Sequence, residues 1–282
     1  MHPVLFEFDT PGFLRGLLPD SIGIYTYGFL IACGVLAGFF YTAHQAKKQY
    51  GVSYDTTQQL IIVLVVASLV GGKVFIIFED PAYYLSNPGR LIQNLGSGFV
   101  LYGSLLFAIP AMLWFFRSKK LPVLGMLDIM AVTGCIAQAF GRMGCFMAGC
   151  CHGHPTESAL GVSFHDHRSQ AFPLDTPLHP AQLYEATWLV LVMVFLLRFG
   201  RKKQFDGQLF LLYLALYAAG RSVIEIFRGD ESRGYLIEGW ISNAQTTSAL
   251  LIAAVVYFYL KLKKKAELRS LGRRHPQRKS TG

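Results

Sequence analysis

Tyr217, Arg221, Glu225 and Arg228 follow one another at intervals of four, four and three residues in an otherwise apolar stretch, which places them on one face of a helix. Lys73 and Arg142 lie in apolar stretches of their own. A charge inside a membrane-crossing helix costs about 2.5 kcal/mol or more at mid-bilayer, so it usually faces the bundle interior or water. Near a helix end the same side chain can snorkel to the interface, an alternative that stays open for Lys73 and Arg228. A purely structural Arg–Glu pair between helices is the blander reading of Glu225. Against it stands the charge balance: Glu225 and Glu185 do not neutralise four cations, and an anion is the missing partner. Guanidinium forks suit a phosphate better than an isolated ammonium does. The ligand inferred is an anionic phospholipid headgroup or another phosphate ester.

The elements that must position these residues follow from composition. Of 282 residues, 52% are apolar and 15% charged, and mean hydropathy is +0.38. Apolar runs near the length of a bilayer crossing predict an all-α integral membrane protein and exclude a soluble globular, disordered or fibrous chain. About seven transmembrane helices are expected, at 22–44, 57–78, 99–116, 121–143, 180–197, 207–228 and 244–260. No linker divides the chain, so 1–282 reads as one transmembrane domain with one longer insertion at 144–179 and a basic tail at 261–282. Residues 1–20 lack a basic start, an apolar stretch and a cleavage site, so the first helix is expected to act as the insertion signal.

Lys and Arg set the orientation. Alternate connections hold Lys47 and Lys48; Arg117, Lys119 and Lys120; Arg198, Arg201, Lys202 and Lys203; and nine basic residues of the tail. The opposite side holds Arg15, Arg90, Arg168 and Arg233. Basic loops resist translocation, so the C-terminus is expected in the cytoplasm and the N-terminus outside. The formal charge of +9 is thus a topology signal and a contact for membrane lipids, and no nucleic-acid partner is expected. In this orientation the four intramembrane cations lie in the outer half, with Tyr27, Tyr102, His179, Gln182 and Glu185 on the same side.

With that convergence in place, the chain resembles the prolipoprotein diacylglyceryl transferases along nearly its whole length. The resemblance rests on Gly141-Arg142-Met143-Gly144 opening a signature that runs to Gly153, on His179-Pro-Ala-Gln-Leu-Tyr-Glu185, and on Tyr217-xxx-Arg221-xxx-Glu225-xx-Arg228. Tyr27-Gly28, Gln245, and Gly71-Gly72-Lys73 where the family usually has Gly-Gly-Arg add support. It implies a seven-span fold with a periplasmic head. It also implies transfer of diacylglycerol from phosphatidylglycerol to the lipobox cysteine of a preprolipoprotein signal-peptide substrate, giving a thioether and releasing glycerol phosphate.

On that reading Arg142 and Arg221 grip the phosphodiester and stabilise charge as the carbon–oxygen bond breaks. Glu225 orders the arginines, Tyr217 and Tyr27 donate hydrogen bonds, and Arg228 stands behind them. Lys73, Gly153 and Gln182 complete the substrate-binding set. Neither a nucleotide nor a metal cofactor is expected.

Three positions depart from the family pattern. Tyr102-Gly103-Ser104 stands where His-Gly-Gly is usual, and Cys145 and Cys150 replace Asn and Glu. A phenol of pKa near 10 is a poor base at neutral pH. The base is therefore open among Tyr102 and His152, His154, His165, His167 and His179. A divergent active transferase, a related lipid-handling enzyme, a non-catalytic phospholipid-binding protein and a transporter all stay open. The cluster of Cys145, Cys150 and Cys151 admits a disulfide such as Cys145–Cys150, free thiols, or zinc with help from His152 and His154, although the spacing matches no standard ligand set. Cys33 and Cys135 read as small packing residues and Asp128 as a local polar contact. Gly23, Gly28, Gly34 and Gly38 read as small residues at helix contacts. No Walker loop or dinucleotide fingerprint is present.

Overall fold

A computed structural model describes residues 2–9, 21–79, 81–86, 100–228, 235–237 and 241–274. The expected outward basic residues Arg15, Arg90 and Arg233, and the end of the tail, lie outside the described residues. The elements are β1 (Val4–Asp9), β2 (Ser21–Tyr25), α1 (Thr26–Tyr50), α2 (Tyr54–Glu79), α3 (Pro81–Ser86), α4 (Leu101–Ser118), α5 (Val123–Ala148), α6 (Ala181–Phe199), α7 (Gln208–Glu225), β3 (Tyr235–Ile237), β4 (Ile241–Ser242) and α8 (Asn243–Arg274). Each expected span coincides with one helix. Six described helices are long and apolar enough to cross a membrane, which makes the chain a largely helical integral membrane protein. α7 is not among the six, because Gln208, Arg221 and Glu225 dilute its apolar character over only 18 residues.

Some boundaries differ from expectation. Residues 21–25 pair with β1 as an antiparallel ribbon instead of opening the first helix, so Gly23 sits in a strand. The hairpin is tied to α1 by Thr26, whose N–H donates to the Pro3 carbonyl at 3.0 Å and whose hydroxyl donates to the His2 carbonyl at 2.6 Å. α5 continues to Ala148 and stops at Gly149, whose φ of +80° suits a residue without Cβ. Cys145 is therefore helical, and the insertion begins about a turn later than the sequence suggested. α8 runs on through much of the basic tail.

The chain forms two compact units, Met1–Gly38 with Leu127–Gly282, and Phe39–Met126. In the second unit α2 and α4 pack together. Their contact is backbone to backbone at two glycines: a Cβ on Gly71 would meet the Gly103 carbonyl oxygen at 2.3 Å, and a Cβ on Gly103 would meet that of Gly71 at 2.3 Å. Close approach of this kind is how helices associate in lipid, where apolar burial gives no net drive. Ser104 adds a hydrogen bond from its hydroxyl to the Ser68 carbonyl at 2.8 Å.

In the first unit α7 packs against both α6 and α8. The N-terminus of α7 is held by a side chain from α5. Buried Asp128 accepts from the Gly207 N–H at 2.9 Å, the Phe210 N–H at 3.0 Å and Lys203 Nζ at 3.2 Å, so its place in an apolar span is satisfied by three donors. Further along the same two helices Gln138 donates to the Tyr213 hydroxyl. Gly34 and Gly38 of α1 do lie against Phe140 and Thr133 of α5, as small residues at a helix contact, whereas Gly28 has open space beside its Cα. The insertion folds on Phe164, Ala171 and Leu178, with Phe146 and Leu174 packed on them.

Candidate active site

The segment between α5 and α6 determines where the charges meet. Gly153 N–H donates to the His179 carbonyl at 2.8 Å, His179 N–H to the His154 carbonyl at 2.9 Å, and His154 N–H to the Phe227 carbonyl at 3.1 Å. This short ladder brings the main chain of Arg228, bridged to Gly153, beside the start of α6. The position requires glycine: a Cβ on Gly153 would meet the Phe227 carbonyl oxygen at 2.1 Å and His179 Cβ at 2.7 Å.

Glu185, one turn into α6, then links two arginines from separate elements. Arg142 Nη2 of α5 lies 2.9 Å from Glu185 Oε1, and Arg228 Nη1 lies 3.8 Å from Oε2. Arg221 pairs with Glu225 along α7. Tyr217, one turn before Arg221, lies within electrostatic reach of Glu185, Arg142, Arg221 and Arg228. Glu185 is 2% exposed, Arg221 9% and Arg228 5%. Among the described residues, three guanidinium groups therefore meet two carboxylates in a largely buried setting. Arg221 Nη1 faces Glu225, whereas its Nη2 is buried with neither an ion-pair nor a hydrogen-bond partner among the described residues. Such donors call for an acceptor, and a phosphate supplies several oxygens at once.

Gln182, one turn before Glu185, donates from Nε2 to the Cys150 carbonyl at 2.6 Å and fixes the turn after α5 to α6. Its Oε1 is buried and has no partner among the described residues. Tyr27, in the first turn of α1, lies against Gly144 and within reach of Arg142 and the three thiols of Cys145, Cys150 and Cys151. Hydrogen bonds from Cys145 and Cys150, with the Arg228 and Arg142 guanidinium groups nearby, hold the Cys151 thiol below the ordinary thiol range. The same thiol contacts, with burial, push Cys150 up.

Of the residues singled out in the sequence, Arg142, Arg221, Glu225, Tyr217, Tyr27, Gln182, Gly153 and Arg228 all belong to the first unit. Lys73 on α2 and Tyr102 in the first turn of α4 belong to the second, where the Tyr102 side chain is exposed. The histidines are committed or peripheral. His152 is held at both ring nitrogens, Nδ1 at 2.9 Å from the Gly153 carbonyl and Nε2 accepting the Phe172 N–H at 3.3 Å. His179 Nδ1 meets the Tyr184 hydroxyl at 3.1 Å, and exposed His165 pairs with Asp175 at 2.6 Å. His154 and His167 are exposed. Sequence reasoning undervalued Glu185, the joint between Arg142 and Arg228. Its signal was its place at the end of the His179-to-Glu185 segment.

Known proteins are similar to this chain along most of its length. A family model described as prolipoprotein diacylglyceryl transferase matches residues 17–261. A Clostridium tetani protein named phosphatidylglycerol-prolipoprotein diacylglyceryl transferase is 36% identical over 259 residues, covering 92% of this chain and 97% of the relative. A protein of the same name from Dehalococcoides mccartyi is 32% identical over 241 residues, 85% of this chain and 90% of its own length. One from Clostridium perfringens, named as transferase 2, is 29% identical over 248 residues, 87% of this chain and 94% of its own. The chain belongs to the prolipoprotein diacylglyceryl transferase family.

Proposed function

We propose that this protein transfers the diacylglyceryl group of phosphatidylglycerol to the lipobox cysteine thiol of preprolipoproteins, forming a thioether and releasing glycerol phosphate. The observation that carries this reading is the largely buried set of three arginines on two carboxylates, with Arg221 Nη2 buried and without an acceptor among the described residues. Arg142 and Arg221 bind the phosphodiester and stabilise the charge that gathers on the leaving phosphate oxygen, while Glu225 and Glu185 hold the guanidinium planes. Tyr217 and Tyr27 donate hydrogen bonds to phosphate or glycerol oxygens. Lys73 and Tyr102 stand as candidates through the motif positions they occupy in the sequence. The membrane is the bacterial inner membrane, with the N-terminus periplasmic and the tail cytoplasmic, as the Lys and Arg distribution supports.

The test is incubation of the full-length protein in detergent micelles with phosphatidylglycerol and a lipobox peptide, read by the mass of the peptide. A diacylglyceryl mass gain is expected. Hydrogen bonds to charged groups contribute about 1.5–3 kcal/mol each, so Arg142→Ala and Arg221→Ala should each lower kcat/KM by about a hundredfold. Retained turnover in both would reject the grip on phosphate. Lipid binding without any mass gain would leave a phospholipid-binding protein on this fold.

A further inference from the structure

Cys145 at the end of α5 and Cys150 and Cys151 in the following turn bring three sulfur atoms within 4.8 Å of one another. None is bridged to another. Their geometry is held by the main chain. Cys150 N–H donates to the Cys145 carbonyl at 3.1 Å, Gly149 and Cys151 take positive φ of 80° and 62°, and Gln182 clasps the Cys150 carbonyl at 2.6 Å. In a tetrahedral zinc thiolate centre, zinc–sulfur bonds of about 2.3 Å put neighbouring sulfurs about 3.8 Å apart. Three side chains already this close need only small χ1 adjustments to reach that spacing.

Charge favours the same occupant. Three thiolates around a divalent ion carry one net negative charge, and Arg142 and Arg228 both lie within electrostatic reach of the cluster. Thiolates select soft or borderline ions, and zinc is the one that brings no redox chemistry. His152, the neighbouring residue that could close the shell, has both ring nitrogens occupied by Gly153 and Phe172. Three protein ligands and one vacant coordination position is the pattern of a catalytic zinc rather than a structural one.

We propose that Cys145, Cys150 and Cys151 bind a zinc ion whose fourth position accepts the thiol of the acceptor cysteine. The role rests on the transferase reading given above, and it supplies what the histidines, engaged or exposed, do not. An acceptor thiol displaces water from the metal and loses its proton to solvent as the zinc–sulfur bond forms, since a coordinated thiol is deprotonated. Its lone pair then attacks the glycerol carbon. The carbon–sulfur bond forms as the carbon–oxygen bond breaks, the electron pair leaves on the glycerol phosphate oxygen, and the neutral thioether, a weak ligand, departs.

Elemental analysis of the full-length protein purified without chelator should find one zinc per chain. Replacement by Co2+ should give the intense visible and thiolate charge-transfer absorption of a tetrahedral sulfur-rich site. Cys145→Ser, Cys150→Ser and Cys151→Ser should each lose the metal and lower transfer at least tenfold, with added zinc restoring the chelator-stripped wild type alone. Three thiols freely titratable in the native protein with no zinc or cobalt uptake, or a Cys145–Cys150 disulfide found by peptide mass, would overturn the site. Full transfer by metal-free protein would overturn the metal's role and leave the transferase reading standing. A zinc-loaded protein that transfers nothing would instead strike the transferase reading, and the role with it, while the metal site survived.

Discussion

Glu185 holds Arg142 and Arg228 with one carboxylate, and that sharing makes it the residue most sensitive to a change of charge without a change of shape. In Glu185→Gln the two guanidinium groups lose their common counterion, and the site becomes more positive. Anion attraction rises while alignment is lost. The expected outcome is a fall in kcat of about tenfold or more with KM for phosphatidylglycerol unchanged or lower, measured by the peptide mass assay. A raised KM with unchanged kcat would show that Glu185 binds substrate directly. The arginines were legible in sequence because charges in apolar runs are costly and few. Their pairing was not: sequence let Glu225 serve either arginine of its helix face, and only the fold assigns it to Arg221 and gives Arg228 to Glu185. The committed state of His152 was equally hidden, because both partners are main-chain groups that any residue type supplies.

At the scale of elements, the helices were legible and their ends were not. Apolar runs set the spans, but the stop of α5 depends on Gly149 at positive φ, and the β1–β2 ribbon depends on pairing between segments that are individually short. The α2–α4 contact gives the sharpest element-level prediction. Gly103→Val inserts a side chain where even a Cβ lies 2.3 Å from the Gly71 carbonyl oxygen, so the helices must part. Overpacking costs about 1–3 kcal/mol, and a clash with backbone belongs at the upper end. A clear drop in the thermal unfolding midpoint in detergent is expected, whereas Gly28→Ala, with nothing within 4 Å of the new methyl, should hold or raise it. Equal midpoints for Gly103→Val and the wild type would show that the two helices do not pack through these glycines.

For the whole molecule, the Lys and Arg distribution predicts a cytoplasmic C-terminus, and a fluorescent protein fused there, which matures only in the cytoplasm, tests it. Bright fluorescence is expected, and a dark fusion with an active periplasmic phosphatase reporter at the same site would reverse the assignment. Span number was less legible than helical character. α7 carries two residues of the candidate site, Arg221 and Glu225, and they weaken the hydrophobic signal by which a crossing is recognised. A helix that brings charge into the bilayer region has to be held there by its neighbours.

Asp128 shows how that holding is done. It grips the first turn of α7 from the first turns of α5, and Gln138 meets Tyr213 further along, so the two helices run in the same direction. Arg142 lies fourteen residues beyond Asp128, and Arg221 lies fourteen beyond Gly207, which is about 21 Å of helix in each case. One carboxylate near the start of both helices thus sets where α7 begins against α5, and so acts on the register of two distant guanidinium groups without touching either.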